Sequence, residues 1–66
     1  MQGEKTFYGR AQGMDIRIDK NEDGSLSAYE AFPLSGLYMF VMRADRETIL
    51  RRFDASGALR RWLESN

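Results

Sequence analysis

A chain of 66 residues and 7.6 kDa sets a single small domain over residues 1–66, since at this length only about 60 % of the unfolded surface is buried on folding. With no Cys and no His, disulfide frameworks, zinc sites, cysteine nucleophiles and Ser-His-Asp triads are excluded. Ten Lys plus Arg against ten Asp plus Glu leave no overall field that would recruit nucleic acid, an anionic membrane or an acidic substrate.

Residues 1–6 lack the basic start and apolar stretch of a secretory signal. The longest apolar run, Leu37 to Met42, falls far short of the roughly 20 residues that span a bilayer. A soluble, cytoplasmic protein without membrane contact is therefore expected. Turn-forming residues recur at Gln12-Gly13, Lys20 to Gly24, Pro33 to Gly36, Ala44 to Glu47 and Asp54 to Gly57. The segments between them have the length of strands.

Met14-Asp15-Ile16-Arg17-Ile18-Asp19 alternates apolar and charged side chains, which puts Met14, Ile16 and Ile18 on one face of a strand. Asn21-Glu22-Asp23-Gly24-Ser25-Leu26 is echoed by Asp54-Ala55-Ser56-Gly57-Ala58-Leu59. Asn or Asp first and Gly fourth suit a type I turn followed by a left-handed glycine in a bulged hairpin. Hairpins are accordingly predicted at 21–24 and 54–57. The first sets Met14 opposite Phe32 and Ile18 opposite Ala28. The second sets Phe53 against Leu59 and Ile49 against Leu63, with Arg51 facing Arg61 and Arg52 facing Arg60. Leu37 to Met42, apolar on both faces, is expected as a central strand. The fold class expected is mainly β, a small antiparallel meander.

A helical reading competes with it. Phe7, Ala11, Met14 and Ile18 fall at helical spacing, and Asp45 would cap a helix carrying Ile49, Leu50 and Phe53. Against the first of these, Gly9 and Gly13 each cost about 1 kcal/mol in a helix relative to Ala. Leu59, Trp62 and Leu63 lie on a different helical face from Ile49, Leu50 and Phe53, so the chain turns near Gly57 in either case.

Asp19-Lys20-Asn21-Glu22-Asp23-Gly24-Ser25-Leu26-Ser27-Ala28-Tyr29-Glu30 resembles the twelve-residue calcium loop of the EF-hand family. The resemblance implies side-chain oxygens from Asp19, Asn21 and Asp23, a backbone carbonyl from Ser25, a water-mediated contact at Ser27 and a bidentate carboxylate from Glu30. Gly24 would stand at the sharp turn and Leu26 where partner loops pair. It covers twelve residues. The residues before Asp19 alternate like a strand, Pro33 would break the exit helix, and Ala31 stands where a large apolar residue is usual. The second loop is two residues short, with Leu63 in register with Glu30, and would not bind calcium. This alternative is an α-helical EF-hand-like pair with a degenerate second loop, and a calcium-binding protein. Turn preferences alone account for Asn21, Asp23 and Gly24.

Like charges directly across a ladder repel. Arg51, Arg52, Arg60 and Arg61, with Trp62 beside them, therefore form the candidate partner-binding group, which an anion or an acidic partner would neutralise. Basic side chains among aromatics also suit single-stranded nucleic acid, although a solvated charged face is the simpler use. Paired carboxylates such as Glu22 and Asp23 lack the cleft that shifts a catalytic pKa. Tyr38, Met39, Phe40 and Met42 are assigned to the core, with a partner surface as the other use. The function expected is a non-enzymatic adaptor or inhibitor acting through protein–protein contact, without a cofactor. Homodimerisation would hide an edge strand or an apolar patch.

Overall fold

The computed structural model describes residues 5–54 and 56–65. Residues 1–4, Asn66 and Ala55, which belongs to the expected second turn, lie outside the described residues. Four strands come first, β1 (Thr6–Ala11), β2 (Met14–Lys20), β3 (Leu26–Ala31) and β4 (Met39–Ala44), followed by α1 (Arg46–Phe53) and α2 (Ala58–Glu64). The strands form one sheet in the order β1-β2-β3-β4, and each adjacent pair is antiparallel. The mainly β meander read from the sequence is the architecture found, and β2 and β3 take the place of the helices that an EF-hand pair requires.

Each reversal has a local cause. Gln12 and Gly13 adopt φ 55 and 81, the doubly left-handed pair that matches the twist of a two-residue hairpin. At the second reversal the Gly24 N–H donates to the Asn21 carbonyl at 3.1 Å and the Asn21 N–H to the Ser25 carbonyl at 2.9 Å, with Gly24 at φ 93. The register of β2 on β3 then sets Ile18 opposite Ala28 as expected. Met14 and Phe32 do not pair, because the ladder ends at Asp15 and Ala31 and Phe32 turns out to solvent.

Alternation along the strands gives the sheet two unlike faces. Phe7, Ala11, Ile16, Ile18, Leu26, Ala28, Met42 and Ala44 face the helices, which contribute Ile49, Leu50, Phe53, Leu59, Trp62 and Leu63. Ile16, Ile18, Ile49 and Leu59 are the largest side chains wholly removed from solvent. Gly9 belongs to this face because the Phe7 ring lies across it: a Cβ there would come within 2.7 Å of that ring.

The second hairpin does not form. Asp45 accepts the Thr48 N–H at 2.9 Å and caps α1, with Glu47 in its first turn and Arg51 and Arg52 in its last, which suits the helix dipole. Helical spacing gathers Ile49, Leu50 and Phe53 on one side of α1, and Leu59 and Leu63 on one side of α2. Both stripes close on the sheet. The cross-strand contacts of Arg51 with Arg61 and of Arg52 with Arg60 are thereby replaced by positions on two helices, and the like-charge ladder is avoided. Without those strands β4 ends the sheet, so the segment expected at its centre lies at its edge. Met42 is packed as core, whereas Met39 and Phe40 are 73 % and 60 % exposed. No helix among the described residues is long and apolar enough to cross a membrane.

Candidate functional site

The helices cover one face of the sheet, and the opposite face is where side chains of distinctive chemistry gather. Tyr8 pairs with Arg17, Arg17 with Tyr29, and Tyr29 with Phe40, so one side chain from each strand forms a row across the sheet. The Arg17 guanidinium lies 5.2 Å from the Tyr29 ring centre, and the Tyr29 and Phe40 rings meet edge to face at 5.6 Å. Tyr38, just ahead of β4, returns over the face to meet Tyr8 at 6.0 Å.

Phe40 joins this row because of a bulge. The β3–β4 register passes from Ala28–Met42 directly to Tyr29–Phe40, leaving Val41 as the extra residue. Met42 and Val41 both pack against the core, and Phe40 turns outward. Strict alternation from Met42 would have buried it.

Every arginine on this face has an aspartate. Arg10 pairs with Asp15 at 3.0 Å, Arg43 with Asp23 at 2.8 Å, and Arg17 grips both oxygens of Asp19 at 3.1 and 3.0 Å. Thr6 Oγ1 adds a third donor to Asp19 at 2.8 Å. These bonds to Asp19 hold the Arg17 guanidinium above its ordinary range. The Leu34 N–H, followed by Arg10, holds Asp15 below the usual carboxylate value. Ser25, through its hydroxyl and its N–H, together with Arg43 lowers Asp23 to about 2. Each arginine charge on this face is therefore matched by a carboxylate beside it.

Of the six residues of the calcium-loop resemblance, Asn21, Asp23, Ser25 and Ser27 are joined by hydrogen bonds and Asp19 lies opposite Ser27, whereas Glu30 stands apart. Asp19 is engaged by Arg17 and Thr6, and Asp23 by Ser25 and Arg43. Asn21 Nδ2 donates to the hydroxyls of Ser25 and Ser27 at 3.0 and 2.9 Å. Glu30 lies three residues along β3 from Ser27, between Ile16 and Met39, about 10 Å up the strand. Among the described residues no group of three carboxylates could hold a metal ion. The twelfth-position carboxylate is thereby not closed over the other oxygens in this arrangement.

Of the basic group read from the sequence, Arg51 and Arg60 are brought together, and Arg52, Arg61 and Trp62 lie outside their groove. Arg51 and Arg60 line a groove of about 660 Å³ between α1 and α2 with Arg46, opposed by Asp45, Glu47 and Asp54. Arg52 stacks over Phe53, with its carbonyl accepting from Gln12 Nε2 at 3.4 Å, and Arg61 lies beside Gly57. Trp62 is covered by Phe7 at 5.4 Å and by the Lys20 ammonium at 4.6 Å. Burial, and then the charge of Arg46, push that ammonium down.

Tyr8, Arg17, Tyr29 and Phe40 were not identified as a group from the sequence. The alternation of β2 does signal that Arg17 lies opposite the buried isoleucines. The registers of β1 and β4, which complete the row, have no such signal. Comparison of the chain with protein-family models, curated proteins and solved structures finds no match, so the site rests on its own residues.

Proposed function

We propose that this chain is a non-enzymatic binding module that docks a protein partner on the open face of its sheet. The row of Tyr8, Arg17, Tyr29 and Phe40 carries the proposal. Tyrosine and arginine are the residues most often found as energetic anchors of protein interfaces, since they offer large rigid contact area with a polar tip. Here they are pre-ordered by ring contacts and ion pairs, so less side-chain freedom is lost on docking. Charge balance favours a protein surface with an apolar centre and a polar rim over a polyanion, which needs unpaired cations to displace its counterions.

Affinity capture with three baits tests it: wild type, Tyr8→Ala/Tyr29→Ala, and Arg51→Ala/Arg60→Ala. The expected partner is retained by wild type and by the helix-side variant and lost from the sheet-face variant. Loss only from the helix-side variant would move the site to the groove between α1 and α2. Micromolar binding of a single-stranded oligonucleotide, weakening steeply with salt, would replace the protein partner by nucleic acid.

A further inference from the structure

The sheet has two edges, and they are unlike. The β1 edge carries Lys5 and Arg10 close to its two ends, charges of the kind that discourage strand addition. The β4 edge carries one charge, Arg43 close to its C-terminal end, and none at its other end. Phe32 to Met42 is eleven residues without one charge, and Arg43, which follows, is already held by Asp23 at 2.8 Å. Phe32, Leu37, Met39, Phe40 and Val41, with Glu30 among them, line one shallow depression of about 220 Å³ beside this edge. Leu34 stands at the tip of the preceding loop, 93 % exposed, and adopts φ 67, which L residues avoid. Hydrogen bonds hold the loop in that shape: the Leu34 N–H to Asp15 Oδ2 at 3.1 Å, Ser35 N–H to the Phe32 carbonyl at 3.0 Å, and Leu37 N–H to Ser35 Oγ at 3.2 Å.

We propose that this edge takes a second copy of the chain, β4 pairing antiparallel with β4 about a two-fold axis to make one eight-stranded sheet. The proposal goes beyond the partner face described above, with which it shares Phe40. Two arguments select a second copy as occupant. In a two-fold contact each patch meets itself, so any net charge on the patch would repel its own image, and the segment from Phe32 to Met42 has none. Two acids adjoin the patch: Asp15, which accepts the Leu34 N–H and is neutralised by Arg10, and Glu30 on β3, which lines the depression. For Glu30 the separation decides. Two intervening β4 strands separate it from its mate by three strand spacings, about 14 Å, which exceeds the screening length at physiological salt.

The second argument is area. Phe32, Leu34, Leu37, Met39 and Phe40 are each between 60 % and 93 % exposed. Together they present on the order of 700 Å², close to the roughly 800 Å² per partner of a stable interface. Isolated chains seldom leave so much apolar surface around one sheet edge in water.

Sedimentation equilibrium of the full chain tests the proposal, with circular dichroism to check folding. Twice 7.6 kDa is expected for wild type at micromolar concentration. Leu37→Lys/Met39→Lys replaces two exposed side chains and is expected to sediment as a folded monomer. Tyr8→Ala/Tyr29→Ala, which disables the proposed partner face, is expected to remain dimeric, so the two proposals fail separately. Wild type that is monomeric at hundreds of micromolar, or a Leu37→Lys/Met39→Lys variant that stays dimeric, overturns the proposal. Hydrogen exchange of wild type gives a readout that needs no substitution. The β4 amides that do not bond to β3 should exchange about tenfold more slowly at high than at low protein concentration; rates independent of concentration would also overturn it.

Discussion

The turns at 21–24 and 54–57 share a sequence pattern and a backbone device, yet the first closes a strand pair and the second joins two helices. In both, the fourth-position glycine is left-handed, with φ 93 at Gly24 and 87 at Gly57. In both, its N–H returns to the first residue: to the Asn21 carbonyl at 3.1 Å, and to the Asp54 side chain at 3.1 Å. What differs is the period of the flanking apolar residues. Ile16 and Ile18 lie two apart before the first turn, whereas Ile49 and Phe53, and Leu59 and Leu63, lie four apart around the second. A turn motif fixes the reversal, and the flanks decide what is reversed.

The largest effects should come from the residues the two turns deliver to the core. Ile18 and Ile49 are both wholly buried. Ile18→Ala and Ile49→Ala should each cost about 2 to 5 kcal/mol in chemical denaturation, by lost transfer energy and residual cavity. A cost below about 1 kcal/mol for either would show that its flank stands outside the cooperative core.

The glycines compare the turns directly. A Cβ at Gly24 meets open space, and one at Gly57 meets only the mobile end of Arg61 at 3.3 Å, so backbone strain dominates at both. Gly24→Ala and Gly57→Ala should each cost on the order of 1 to 2 kcal/mol. Unfolding midpoints that separate them by more than about 1 kcal/mol would break the equivalence.

Smaller effects follow from the charges at the first turn. Asp23 titrates at about 2 when folded, below its ordinary 3.8. A folded value depressed in this way contributes stability that is complete above the ordinary pKa and lost as pH falls through about 2. Asp15 and Asp45, both lowered, act in the same direction. Asp23→Asn should therefore flatten the loss of stability on acidification, read as urea midpoints across that range. An unchanged slope would show that Arg43 and Ser25 do not hold the carboxylate in solution.

Calcium should have the smallest effect. With Asp19 and Asp23 engaged and Glu30 remote, millimolar calcium added to chelator-treated protein is expected to leave the melting midpoint unmoved. A dissociation constant at or below roughly 10⁻⁵ M, the sensor range of EF-hand loops, would mean that the 19–30 segment rearranges around the ion.

Much of the sheet was legible because period-2 alternation and turn chemistry are local. Met14 to Asp19 declared its buried face, Asn21 to Gly24 its reversal, and Ile18 opposite Ala28 followed by counting. Asp45 as a cap with Ile49, Leu50 and Phe53 behind it is equally legible, and it conflicts with the second hairpin that the repeat suggests. The repeat carried turn information only. The candidate face was the least legible part. Tyr8 and Phe40 reach the same row through pairings that no local pattern specifies, and the bulge at Val41 reverses the side that Phe40 would take by alternation. The six residues that match an EF-hand loop were drawn together by spacing along the chain, whereas in extended strands the same spacing carries Glu30 away from Asp19.

All four strands precede both helices, and this ordering bears on how the protein is made. As the chain leaves the ribosome, the sheet's hairpins are complete in sequence while Ile16, Ile18 and Ala28 still have nothing to cover them. Isolated hairpins are marginal in water, and uncovered strands are prone to associate. The nascent meander thus depends on α1 and α2 for its shelter, and a truncation before Leu59 would leave α1 alone to cover the inner face of the sheet. For this molecule, timing of synthesis and quality control by chaperones bear on the same two short helices.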